Sequence, residues 1–217
     1  MSDTRTIAVI GGAGQLGGAL AKRLGDAGYA LIIGSRSPER ASVAADAMGD
    51  GARAATNAEA AAAGDIVIVA VPFAAQEGTL TEIAPYVAGK IVVETTVPLV
   101  PPKVTRVQLP PEGSAAVRAL RFLPPDVRLV SAFHNVAAHK LAGAGTVDCD
   151  VLVFGDDKDA RGEVIALVSS LGMRGLHGGP LVNSAAAEAL TSLLIFINKT
   201  YSVDGAGLRI TGGLSGA

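Results

Sequence analysis

The stretch Ile7 to Leu24, IAVIGGAGQLGGALAKRL, limits what this chain can fold into more than any other. Four apolar or β-branched residues (Ile7, Ala8, Val9, Ile10) run into Gly12, Gly14 and Gly17 at G-x-G-x-x-G spacing, and Leu16, Leu20, Leu24 and Ala27 then recur at helical intervals. A buried strand, a tight turn and a helix are specified in that order. At such a turn a Cβ would hold the backbone away from an anion, while the first amides of the helix present unpaired donors and the positive end of its dipole. Residues Gly12, Ala13, Gly14, Gln15, Leu16 and Gly17 are therefore candidates for cradling a pyrophosphate. The expected architecture is an α/β Rossmann-type doubly wound parallel sheet. A chain with 27 glycines can produce this spacing by chance, so the flanking strand and helix carry the inference.

With 217 residues the chain is large for one domain and small for two. We expect a nucleotide-binding domain over residues 1–135 and a small C-terminal α/β domain over 136–217 that closes a cleft. Apolar residues make up 49% but aromatics only 4%, with no Trp, so the core is expected to be Ala, Val, Leu and Ile. Eighteen Lys and Arg against twenty Asp and Glu, without a basic block, argue against nucleic acid or an anionic membrane as partner and favour a small molecule. MSDTRT has no signal-peptide pattern, and no apolar run is expected to reach the roughly 18 residues of a spanning helix, which points to a soluble cytoplasmic protein. Cys149, the one cysteine, excludes an internal disulfide or a cysteine metal cluster.

The second strand, Ala30 to Ile33, ends in Gly34-Ser35-Arg36-Ser37-Pro38-Glu39-Arg40, with Pro38 placed to open a helix. NAD-binding folds carry Asp or Glu here for the ribose 2'-hydroxyl. Ser35 and Arg36 stand in that place, with Arg40 one turn on, and these suit a 2'-phosphate. The implied cofactor is NADP(H). Further strands are expected at Ala52–Ala55, Asp65–Val71, Lys90–Glu94 and Arg128–Phe133, and a short helix from Ser114 to Phe122. In an open parallel sheet ligands bind beyond the carboxyl ends of the strands. The glycine turn, Ser35-Arg36, Val71-Pro72, Thr95-Thr96 and His134-Asn135 all fall at that edge.

Beyond Asn135 we expect a short helix with His139 and Leu141, a strand at Asp150–Gly155, an acid-started helix from about Asp159 to Leu171, and then a glycine-rich turn that ends at Gly178-Gly179-Pro180 and holds an exposed His177. Asn183 is a candidate cap for a last helix reaching about Tyr201, whose Leu190, Leu193, Leu194 and Ile197 form a broad apolar face. That face is expected to serve a second subunit in part, giving a homo-oligomer, while the tail from Gly205 to Thr211 returns to the site. His134 is either an acceptor contact or a local cap. His134 and His139 lack metal-ligand spacing, the aspartates from Asp148 to Asp159 lack calcium-loop spacing and are expected to be a solvated helix start, and neither G-x-S-x-G nor G-x-x-x-x-G-K-[ST] occurs.

The segments GGAGQLG, IGSRSPERA, DIVIVAVPF, IVVETTVPL, SAFHNVAAHKL, DCDVLVFGDD, GGPLVNS, EALTSLLIFINK and GAGLRITG, in this order, closely resemble the NADPH-dependent F420 reductases, or F420:NADP oxidoreductases. The resemblance spans nearly the whole chain. It implies hydride transfer between NADP(H) and the deazaflavin coenzyme F420. By position, Ser35, Arg36 and Arg40 would hold the 2'-phosphate and Ala70, Val71 and Pro72 would border the nicotinamide ribose. Val97, Pro98, His134, Asn135, Gly207 and Leu208 would line the deazaflavin pocket. The sequence departs from relatives at Ala13, where Thr is frequent, and at Thr95-Thr96, where Ser-Pro is frequent. Reduction of another acceptor (an imine, a flavin or a ferric chelate) and non-catalytic sensing of NADP(H) are the competing readings.

Overall fold

The structure is a computed structural model that describes residues 5–49, 51–143 and 145–213. Its strands are β1 (Thr6–Ile10), β2 (Ala30–Gly34), β3 (Ala52–Ala55), β4 (Ile66–Val69), β5 (Ile91–Glu94), β6 (Arg128–Ser131), β7 (Asp150–Gly155) and β8 (Arg174–Gly179). They form one sheet in the order β3-β2-β1-β4-β5-β6-β7-β8, parallel from β3 through β6, antiparallel between β6 and β7, and parallel again between β7 and β8. The helices are α1 (Gln15–Asp26), α2 (Pro38–Asp46), α3 (Asn57–Ala63), α4 (Phe73–Ile83), α5 (Ala115–Ala119), α6 (Ala138–Ala142), α7 (Lys158–Ser170) and α8 (Ser184–Tyr201).

Alternation along β1 explains the two layers of core. Ile7 and Val9 pack with Leu20 and Leu24 of α1 and Val164 of α7, whereas Ala8 and Ile10 pack with Ala60 of α3 and Leu80 and Ile83 of α4. Chain direction across the sheet reverses between β1 and β4, which opens a crevice beyond their carboxyl ends. Helix starts follow local chemistry. Pro38 occupies the first turn of α2, and the Ser37 hydroxyl accepts the Arg40 amide at 3.3 Å. Thr56 and Glu59 cap α3 reciprocally, each side chain accepting the other's amide. Ser114 accepts the Val117 amide to start α5, which ends at Ala119 rather than at Phe122.

Four features differ from the sequence expectation. Residues 174–179, expected as a turn, form β8 at the sheet edge, where His177 is exposed. Their glycines answer to packing: a Cβ on Gly178 would lie 2.2 Å from Cε1 of Phe154 on β7, so glycine admits that ring. Asn183 does not cap α8 with its side chain; its amide donates to the Gly178 carbonyl at 3.0 Å. Asp150, expected among solvated acids, is 1% exposed and takes both the Arg174 guanidinium (2.9 and 2.5 Å) and the Ile210 amide (2.6 Å). Lastly, Leu181–Tyr201, with a mean hydropathy of 1.4, is long and apolar enough to cross a membrane by length and composition, against the expectation of no such run. In the fold it is docked through polar contacts: Glu188 to the start of α5, Thr191 to the His134 carbonyl, and Ser192 to the Arg106 carbonyl.

Candidate active site

The glycine turn closes on itself before α1 begins. Gly11 adopts a φ of +80°, and the Gly14 amide donates to the Gly11 carbonyl at 2.8 Å. Gly17, on the first turn of α1, lies so close that a Cβ there would come within 2.3 Å of the Gly11 carbonyl oxygen. No side chain caps α1, whose N-cap is Gly14, so its leading amides face the cleft without a side-chain acceptor. The cleft, about 240 Å³, lies at the crevice between β1 and β4 and brings together Ala13, Gly14, Ser35, Arg36, Arg40, Ala70, Val71 and Pro72. Gly12, Gln15, Leu16 and Gly17 form the turn and helix behind that wall rather than the wall itself.

At the end of β2 the Ser35 hydroxyl accepts the Ser37 amide at 3.2 Å, and Arg40 reaches back to donate to the Ala13 carbonyl at 3.4 Å. Arg36 is exposed, and among the described residues its guanidinium has no hydrogen bond or ion pair. The neighbouring carboxylate, Glu39, is engaged by the Ser37 hydroxyl at 2.8 Å, and its pKa is lowered by hydrogen bonds to its own backbone and to Ser37. One rim of the cleft therefore carries an unneutralised planar cation beside a hydroxyl and a run of free amides. That donor set suits a phosphorylated dinucleotide.

The remaining candidates lie further along the same edge and outside this cleft. Val97 and Pro98 follow β5, with Pro98 buried. His134 and Asn135 follow β6 through Phe133, a non-glycine residue at φ +66°. His134 is 6% exposed and its Nε2 lies 2.7 Å from the Ser131 hydroxyl; burial pulls its pKa down to about 4, so the ring is neutral at physiological pH. Asn135 donates to the Ala187 carbonyl and to the Thr191 hydroxyl of α8, at 2.9 and 3.1 Å. The tail is fastened alongside. Leu208 accepts the Asp150 amide at 2.7 Å, and a Cβ on Gly207 would lie 2.8 Å from Sγ of Cys149. Gly207 lines a separate cavity of about 210 Å³ with Ala137, Lys140 and Cys149.

Sequence reasoning missed Gly11, Asn57, Ala75 and Thr79, which also line the first cleft. The last two sit on α4, whose weak amphipathic pattern gave no helix signal; Asn57 follows the Thr56 cap, a capping box that could have drawn attention to it.

Residues 6–98 match the profile of the family described as NADP oxidoreductase, coenzyme F420-dependent. The F420-dependent NADP reductase of Methanothermobacter thermautotrophicus is 40% identical to this chain, over 94% of each. The chain belongs to the F420-dependent NADP reductase family. The likeness to this relative extends well past residues 6–98, since it covers 94% of the chain. Two solved structures share the family's fold. One, from Arthrobacter sp. FB24 and described provisionally as an F420-dependent NADP-reductase, has a TM-score of 0.85 at 24% identity and covers 97% of this chain and 100% of its own. The other, an imine reductase from Myxococcus stipitatus, has a TM-score of 0.64 at 22% identity and covers 93% of this chain but 62% of its own.

Proposed function

We propose that this chain transfers a hydride between NADP(H) and coenzyme F420. The observation that carries the nucleotide half is Arg36 at the end of β2, exposed and unpaired among the described residues, where a carboxylate would select NAD. Family membership carries the acceptor half. Arg36 and Arg40 hold the 2'-phosphate with Ser35. The Gly14–Gly17 segment takes the pyrophosphate on the uncapped start of α1, and Ala70–Pro72 border the nicotinamide ribose. Val97, Pro98, His134, Asn135, Gly207 and Leu208 form the acceptor side, contributed in part by the segment from residue 136 onward. When bound, the two ligands supply the redox chemistry, a direct hydride transfer that needs neither nucleophile nor metal from the protein. The protein's work is to align and to exclude water. A neutral His134 whose Nε2 is held by Ser131 acts as a fixed wall, not as an obligatory proton donor.

In this reading the protein works in the cytoplasm as a homo-oligomer. Leu193 and Phe196 of α8, 48% and 54% exposed, supply the apolar face for a second copy, together with Tyr201 and Val203. The test is to mix purified protein with NADPH and F420 and to follow loss of the oxidised deazaflavin absorbance. Turnover with free flavin or an imine and none with F420 would replace this reading with reduction of another acceptor. NADPH binding without oxidation by any of them would replace it with a sensor.

A further inference from the structure

Glu94, the last residue of β5, is fully buried and immediately precedes the turn that carries Thr95 to Pro98. Its Oε1 accepts the Thr96 amide at 2.9 Å, while Oε2 has no hydrogen-bond partner among the described residues. The same turn is fastened to the end of β4, with the Thr95 hydroxyl donating to the Val69 carbonyl at 3.0 Å and the Thr96 hydroxyl to the Val71 carbonyl at 3.3 Å. The carboxyl thus sets the path of the backbone between Val71-Pro72 at the cleft and Val97-Pro98 beyond it.

The groups around it leave little to balance a charge. From α4, Gln76 faces Glu94 and pulls its pKa down; its amide nitrogen also donates to the Ala115 carbonyl and its oxygen accepts from the Arg118 guanidinium, each at 2.9 Å. From α8, Glu188 accepts the Ala115 and Ala116 amides at 2.6 and 3.1 Å, and the charges of Glu188 and Glu94 oppose one another. The Ser184 hydroxyl, also on α8, meets that of Ser114 at 3.0 Å. Arg118 of α5 reaches this network through Gln76 and is shared with Glu77 at the rim, 2.7 Å away. Ionising both buried carboxyls would leave an uncompensated negative charge on Oε2, which costs far more than keeping one acid protonated.

We propose that Glu94 is a positioning residue held in its acid form beside an ionised Glu188, so that the 95–98 turn rests on β4, and α8 on α5, without two like charges buried beneath the turn. In this arrangement Glu188 keeps both amide donors, and Oε2 of Glu94 is a neutral hydroxyl, whose burial costs far less than that of an anionic oxygen. Burial pushes both carboxyls up to about 7, against the pull of the Thr96 and Gln76 contacts on Glu94 and of the two α5 amides on Glu188. Raising the pH through neutrality removes the proton and sets two like charges against each other beneath the turn.

Infrared difference spectra of the purified protein between about pH 6 and about pH 8 test the proton itself. The expected result is a carboxylic acid C=O band that disappears as the pH rises and is absent from Glu94→Gln, which keeps the shape and removes the titration. No such band in the wild-type protein, or an unchanged band in Glu94→Gln, overturns the proposal. The positioning role has its own readout, which rests on the acceptor assignment proposed above: the KM for F420 rises about tenfold over that range in the wild type and less than about twofold in Glu94→Gln, with NADPH affinity constant. A flat acceptor KM in the wild type defeats the positioning role. Absence of F420 turnover at any pH defeats the functional assignment instead, and leaves the infrared result to decide on the proton.

Discussion

Replacing Arg36 with Glu inverts the charge at the rim of the cleft where the 2'-phosphate is assigned, and the cost can be worked from the site. A planar guanidinium offers two parallel bonds to a phosphate, each contributing about 1.5 to 3 kcal/mol when charge-assisted. Arg36 is exposed, so solvent and salt reduce that gain to roughly 2 to 3 kcal/mol. A carboxylate in its place adds like-charge repulsion of about 1 kcal/mol. The sum, about 3 to 4 kcal/mol, corresponds to an increase in the KM for NADPH on the order of a hundredfold to a thousandfold. NADH lacks the phosphate, and its KM should change by less than about threefold, since the new carboxylate can accept from the ribose 2'-hydroxyl. Steady-state kinetics with both nucleotides at two ionic strengths measure this, and the NADPH penalty should shrink in high salt. Equal changes for the two nucleotides, or an NADPH effect below about tenfold, would refute the assignment.

Gly17→Ala places a methyl 2.3 Å from the Gly11 carbonyl oxygen; it should cost about 1 to 3 kcal/mol in denaturant unfolding and weaken NADPH binding. The neighbouring Gly18→Ala meets its nearest atom only at 3.3 Å and should be close to neutral, because helix propensity offsets the contact. For His134, a folded pKa of about 4 against 6.5 unfolded means that the neutral ring's contribution is complete above about pH 6.5 and is lost as the pH falls toward 4. His134→Gln should therefore lose less stability than the wild type between about pH 6.5 and about pH 4.5 in urea titrations, by on the order of 2 kcal/mol. Phe196→Glu on the exposed face of α8 should leave the melting temperature nearly unchanged and shift the protein to a smaller assembly in sedimentation equilibrium; an unchanged assembly would show that copies meet elsewhere.

Local chemistry made much of the fold legible. The glycine turn, Pro38 at the start of α2 and Ser114 at the start of α5 each announce themselves by a residue whose backbone or hydroxyl preference is decided within a few positions. The bounds of β3 and β7 are those expected from their apolar runs. Features decided by distant partners were not legible. Residues 174–179 have the composition of a turn and become a strand because Phe154 needs room over Gly178 and β7 offers a free edge. Asp150 lies in a run of acids that looks solvated, and only the fold brings Arg174 and Ile210 to it. In the site, the phosphate end could be read because type and spacing suffice there. The Glu94–Gln76–Glu188 network could not, since it joins side chains from three separated segments.

The sheet runs without a break from β1 across β6 into β7 and β8. Arg23, near the end of α1, binds the carbonyls of Leu141, Gly143, Gly145 and Leu171 across the same boundary. The two halves of the chain are consequently not lobes that can swing about a hinge, because any such rotation would tear a hydrogen-bonded ladder and a half-buried arginine latch together. Room for a second ring must therefore come from side chains and connections on the rim of the cleft, not from a rotation of one half against the other.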